Sequence, residues 1–205
     1  MFLSEKTAPG ALTAAWKAGY HVFPDGEMLH IYTKCWAAIV RTDSIPLKLT
    51  LALVEQVGHL PITPEEIRKG RENQEIMQGT EQFEREMMHD ARAAELLGLR
   101  RLPIIFRDRW QLYAVGDGQI VGYDQDVVKI LSDDVEPSCC MATGTRYGLF
   151  LCGAEALIAA PAKFSAEDEE KLRTIGGLYR TPEPVCQAVP ENVCMFELIG
   201  EGDEC

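Results

Sequence analysis

The chain of 205 residues is short of positive charge and of histidine: 20 Lys and Arg stand against 32 Asp and Glu, for a formal net charge of −12, with 4 His. A phosphate backbone is repelled by such a balance unless the basic residues gather on one face, so direct nucleic-acid binding is not expected. No apolar run approaches the ~20 residues needed to cross a bilayer. The longest, Tyr147 to Ala160, follows Arg146 and contains Glu155. Met1 to Lys17 holds Glu5, Lys6, Pro9 and Gly10 within its first ten residues and lacks the apolar core of a secretory signal, so a cytoplasmic protein without membrane contact is expected.

Internal repeats and Ser/Gly-rich or Pro-rich linkers are also missing. The expectation is one domain over 1–205, with a helix-rich lobe (1–100) and a strand-rich lobe (103–205) as the alternative division. Hydrophobic residues at 46% and charged residues at 25% fit an ordinary globular core. Seven cysteines, an odd number, read as reduced thiols rather than a disulfide framework. Cys139, Cys140 and Cys152 in one stretch, and Cys186, Cys194 and Cys205 in another, lack the Cys-x-x-Cys spacing of structural zinc sites.

Periodicity predicts an α+β fold in which an N-terminal β-hairpin and long helices precede an antiparallel β-meander. Met28 to Thr33 and Trp36 to Arg41 read as strands, with Pro24-Asp25-Gly26 as the turn before them. Leu47, Leu51, Val54 and Val57 lie at helical spacing ahead of Gly58, which predicts a core helix with a left-handed stop. Thr63-Pro64-Glu65-Glu66 reads as a capping box opening a second helix. Gly79-Thr80 interrupts it, and Leu97-Gly98-Leu99 ends it. Short strands are predicted at Ile104 to Arg107, Gln111 to Val115, Gln119 to Tyr123 and Val127 to Leu131, with Asp117-Gly118 as a hairpin turn. Tyr147 to Cys152 reads as a strand, Ser165 as the cap of an acidic helix, and Cys194 to Ile199 as a last strand.

Three short patterns bear on chemistry. Met88-His89-Asp90-Ala91, with His59 upstream, resembles the HD-domain phosphohydrolases, which implies a divalent metal held by His59, His89 and Asp90 and a metal-activated water. That family also uses a later Asp on a helix, whereas the pattern after Pro103 here is strand-like. Glu86-x-x-His89 is similar to half of a ferritin-like di-iron site, and no second copy of the motif lies on a predicted helix. Cys140 to Arg146 has the Cys-x5-Arg spacing of cysteine phosphatases, which implies Cys140 as nucleophile and Arg146 as phosphate ligand. Its surroundings differ from that family: Asp133, Asp134 and Glu136 precede the cysteine and raise its pKa, and an apolar run follows the arginine. Gly116-Asp117-Gly118 lacks the Lys of a phosphate loop, and neither Gly-x-Ser-x-Gly nor His-Glu-x-x-His occurs.

With no complete catalytic set, the leading expectation is a non-enzymatic binding or regulatory protein, without cofactor, acting through an acidic surface on a basic protein partner. An inhibitor made by a phage or mobile element to block a nucleic-acid-binding host factor fits this composition. Homo-oligomerisation stays open. The candidate partner-binding residues are Asp133, Asp134, Glu136, Glu167, Asp168, Glu169 and Glu170, where acidic charge is densest. The metal-dependent phosphohydrolase and the cysteine phosphatase are the alternatives.

Overall fold

The computed structural model describes residues 1–16, 18–58, 66–69, 74–77, 96–116, 118–143 and 145–179. Helix α1 (Ala8–Trp16) leads into a hairpin of β1 (Tyr20–Asp25) and β2 (Met28–Thr33), then β3 (Trp36–Arg41) and α2 (Leu47–Val57). Strands β4 (Glu66–Lys69), β5 (Gln74–Met77), β6 (Leu96–Phe106), β7 (Trp110–Val115) and β8 (Ile120–Asp124) follow. The short helix α3 (Gln125–Val128), strands β9 (Ser138–Ala142), β10 (Gly148–Cys152) and β11 (Glu155–Ala159), and helix α4 (Ala166–Leu178) complete the described chain. The strands join one antiparallel array in the order β5-β4-β1-β2-β3-β11-β10-β9-β6-β7-β8. No helix among the described residues is long and apolar enough to cross a membrane.

The central strands are apolar on both faces, and their alternation separates two cores. Leu29 and Ile31 of β2, Trp36, Ala38 and Val40 of β3, and Leu157 and Ala159 of β11 point to the face covered by α1 and α2, where Leu12, Leu49 and Leu53 meet them. Tyr32, Ala37, Ile39, Ala156 and Ile158 point to the other face. A third cluster lies under α4, where Leu172 meets Leu102, Leu112, Ala114 and Ile120. The α+β class therefore stands, but strands dominate both halves and the described helices are short.

Several boundaries match expectation for local reasons. Gly58 takes φ 98° and donates its N–H to Val54 O, stopping α2. Gly118 takes φ 88° and donates to Val115 O, closing the β7–β8 hairpin. The Ser165 hydroxyl accepts from Asp168 N at the start of α4.

Other expectations are corrected. Tyr20 to Asp25 is itself a strand, so the turn is Gly26-Glu27. Among the described residues β4 pairs β1 at Tyr20 to Val22 and not at Pro24, which has no N–H to give to a ladder. Glu66 to Lys69 and Gln74 to Met77 are strands rather than helix, because pairing along the free side of β1 outweighs a local cap signal. Leu97-Gly98-Leu99 does not end a helix; it lies inside β6, with Leu97 and Gly98 opposite Met141 and Cys140 and Leu99 opposite Val115. Val127 to Leu131 is not a strand, because the Asp124 carboxylate accepts from Asp126 N and starts α3. On α2 the buried stripe is Leu49, Leu53 and Val57, while Leu47, Leu51 and Val54 are exposed. The proposed helix over 80–95 and the strand Cys194 to Ile199 lie outside the described residues.

Candidate functional site

Two clefts of similar size lie at the β6–β8 end of the sheet. The first, about 340 Å³, opens between β6, β7 and the segment joining α3 to β9. Its floor is Tyr113 and Phe150, both buried, and its wall is Val128, Leu131 and Val135. Tyr113, Tyr123 and Phe150 form an edge-to-face triad with centroids 5.4–5.9 Å apart, which fixes that floor.

The rim follows from hydrogen bonding along 130–138. The chain there is tied down by the N-terminus, where Ser4 N donates to Ile130 O (2.7 Å) and Ser132 N to Phe2 O (2.8 Å). The Ser132 hydroxyl then accepts from Asp134 N (3.3 Å), and Val135 N donates to Ser132 O. This turn leaves Asp133, Asp134 and Glu136 exposed, with Asp133 and Glu136 on the cleft. Across from them stands Arg101, placed by a bulge in β6 whose register shifts between Arg101 and Ile105. Gln111, buried to 4% exposure, fills that bulge: its amide donates to Leu102 O (2.6 Å), and its carbonyl oxygen accepts from Arg101 Nη2 (3.2 Å).

Cys139 also lines this cleft. Burial pushes its thiol up to about 11, with Arg101 offsetting part of the rise, and burial likewise pushes the Tyr113 phenol up. Both are neutral at physiological pH, so the cleft holds no activated thiolate.

The second cleft, about 330 Å³, lies between α4 and the β7–β8 and β9–β10 turns, and Arg146, Glu169 and Arg173 line it. Arg146 takes φ 61° in the β9–β10 turn; the Tyr123 hydroxyl donates to its carbonyl (3.0 Å), and its N–H donates to Ala142 O. Strand β10 follows it, where a cysteine phosphatase opens a helix. Cys140 does not line this cleft. It is wholly buried opposite Leu149 and is disulfide-bonded, so the expectation of thiols throughout is corrected at this position.

The expected order of alkylation follows from burial and acidity. Exposed Cys35 and Cys152 should react first with iodoacetamide at pH 8, Cys139 far more slowly, and Cys140 only after unfolding and reduction. Residue-resolved mass spectrometry reads the order, and early labelling of Cys140 would contradict the structure.

The acidic candidates fall into two groups. On α4, Glu167 pairs with Lys171 (2.6 Å), Asp168 with Arg107 (2.6 Å) and Glu170 with Arg173. Asp168 is buried, and the Arg107 guanidinium hydrogen-bonded to it holds its carboxyl below the usual carboxylate range. Glu169 faces the second cleft. Among the described residues, Asp133, Asp134 and Glu136 have no basic partner.

Because folded Asp168 binds its proton less readily than the unfolded chain does, the pair stabilises fully above the ordinary carboxylate range near pH ~4 and loses that contribution as pH falls through the lower folded value. Urea unfolding at pH 7 and pH 3 should therefore show a smaller acid loss for Arg107→Gln than for wild type. Equal losses would place the acid sensitivity elsewhere.

His59, His89 and Asp90 lie outside the described residues, and among the described residues no group of three or more His, Cys, Asp or Glu is placed to hold a metal. The cleft residues Arg101, Gln111, Tyr113 and Phe150 are not legible from local pattern because β10, distant in sequence, is brought to the β6–β7 hairpin; the Ser-Asp-Asp run at 132–134 is the one local signal. No family model matches this chain, and no curated protein matches it.

Proposed function

We propose that this is a binding protein that takes a basic, partly apolar segment of a macromolecular partner into the cleft over Tyr113 and Phe150. The observation that carries the reading is that Asp133 and Glu136, which have no basic partner among the described residues, stand at the mouth of an aromatic-floored cleft. A Lys or Arg of the partner reaches these carboxylates while apolar neighbours lie against Val128, Leu131 and Val135. Complementary charge mainly speeds and selects the encounter, and apolar burial in the cleft supplies most of the affinity. Regulation or inhibition follows where the captured segment is one the partner needs for nucleic acid.

The reading is tested by selecting a displayed random peptide library on the full chain, with the Asp133→Asn/Asp134→Asn/Glu136→Gln variant as counter-target. Enriched peptides should carry Lys or Arg beside an apolar residue, and their binding should weaken as salt rises, since exposed charges are screened over about 10 Å at 0.1 M. Peptides that bind wild type and variant equally would overturn it.

A further inference from the structure

The outward face of α2 is apolar where a solvent-facing helix is expected to be polar. Leu47, Leu51 and Val54 are 65%, 51% and 37% exposed, one above the other at spacings of four and three residues. Meanwhile Leu49, Leu53 and Val57 fill the core side. Three adjacent exposed aliphatic side chains on an 11-residue helix make a continuous strip rather than scattered surface leucines.

The charges beside the strip identify what fits it. Lys48 and Glu55 are seven residues apart, hence on the same flank, and neither has an ion-pair partner among the described residues. The midpoint between them falls beside Leu51, the centre of the strip. When two helices cross antiparallel about a two-fold axis, each flank faces the same flank of its partner with the direction reversed. Lys48 of one copy then lies alongside Glu55 of the other, and the reverse pair forms by symmetry. Leu51 meets Leu51 at the axis, and Leu47 meets Val54 on either side. A strip with cation and anion placed evenly about its centre is complementary to itself.

We propose that the chain self-associates as a two-fold dimer through α2, with Leu47, Leu51 and Val54 as its apolar seam and reciprocal Lys48–Glu55 pairs at its margin. This surface is separate from the cleft, and the proposal does not rest on the binding function argued above. The seam alone is smaller than the ~800 Å² per partner of a standard stable interface, so association is concentration-dependent.

Sedimentation equilibrium of the full chain from low micromolar to near-millimolar concentration should show reversible monomer–dimer exchange for wild type. Leu51→Asp should be monomeric throughout, with an unchanged circular dichroism spectrum because the side chain faces water. Lys48→Glu and Glu55→Lys should each weaken the dimer, since each places like charges opposite one another twice. The double variant Lys48→Glu/Glu55→Lys, and an equimolar mixture of the two single variants, should recover it. A wild type that stays monomeric at the highest concentration overturns the proposal. A dimer unaffected by Leu51→Asp places the interface elsewhere and overturns it as well. A dimer lost with Leu51→Asp but indifferent to charge exchange overturns the antiparallel pairing.

Discussion

Phe150→Ala is expected to cost about 3–5 kcal/mol, the range for emptying a buried aromatic site. The ring is 1% exposed and packs edge-on against Tyr113 and Tyr123, at 5.8 and 5.9 Å between centroids. It sits in β10, inside the sheet between β9 and β11, so the strand cannot collapse into the void without breaking ladder pairs. For a chain of this size each kcal/mol moves Tm by about 2–4 °C, so a drop of about 10 °C is the expected reading. Ile105→Ala, at a residue of the same cleft that is 51% exposed, should stay within ~0.5 kcal/mol of wild type. Comparable losses for the two variants would show that Phe150 is not a core residue.

Gly176→Ala is expected to be the other severe change. A Cβ there would stand 1.9 Å from the Gly118 carbonyl oxygen, and a backbone atom in a closed hairpin turn cannot swing aside as a flexible side chain does. Helix α4 must lift from β8, loosening Leu172 from Ile120 and Leu112, at a cost of about 1–3 kcal/mol or more for overpacking. The neighbouring glycine supplies the control. A Cβ at Gly177 meets nothing within 4 Å, and Ala favours a helix interior over Gly by up to about 1 kcal/mol, so Gly177→Ala should be neutral or stabilising. Chemical denaturation of the two variants side by side should show a loss for Gly176→Ala and none for Gly177→Ala.

What the sequence revealed was local chemistry, and what it hid was pairing over distance. Gly58, Gly118 and Ser165 fix chain direction within a few residues, so the end of α2, the β7–β8 hairpin and the start of α4 were legible. The inward face of α2 was not. Leu47-Leu51-Val54 and Leu49-Leu53-Val57 both satisfy helical spacing, and only packing against β2 and β3 decides between them. Leu97-Gly98-Leu99 carried a helix-stop pattern, yet β9 was available to pair Leu97 and Gly98, and strand pairing prevailed. The join of β3 to β11 links residues nearly 120 positions apart, and no short-range signal marks it.

The candidate site divides the same way. The acidic density on α4 was visible in sequence, but the structure occupies most of it with Lys171, Arg107 and Arg173. The acids at 133, 134 and 136 look no different in sequence. What distinguishes Asp133 and Glu136 is the absence of a basic partner among the described residues together with a position on the cleft floored by Tyr113 and Phe150.

The central claim is that a basic segment is recognised in this cleft, and hydrogen–deuterium exchange of the full chain with and without a peptide from the selection tests it most directly. Protection confined to 101–105 and 129–139, and absent in the Asp133→Asn/Asp134→Asn/Glu136→Gln variant, is the predicted result. Protection centred on α4, or on the outward face of α2 with the cleft unchanged, would contradict it.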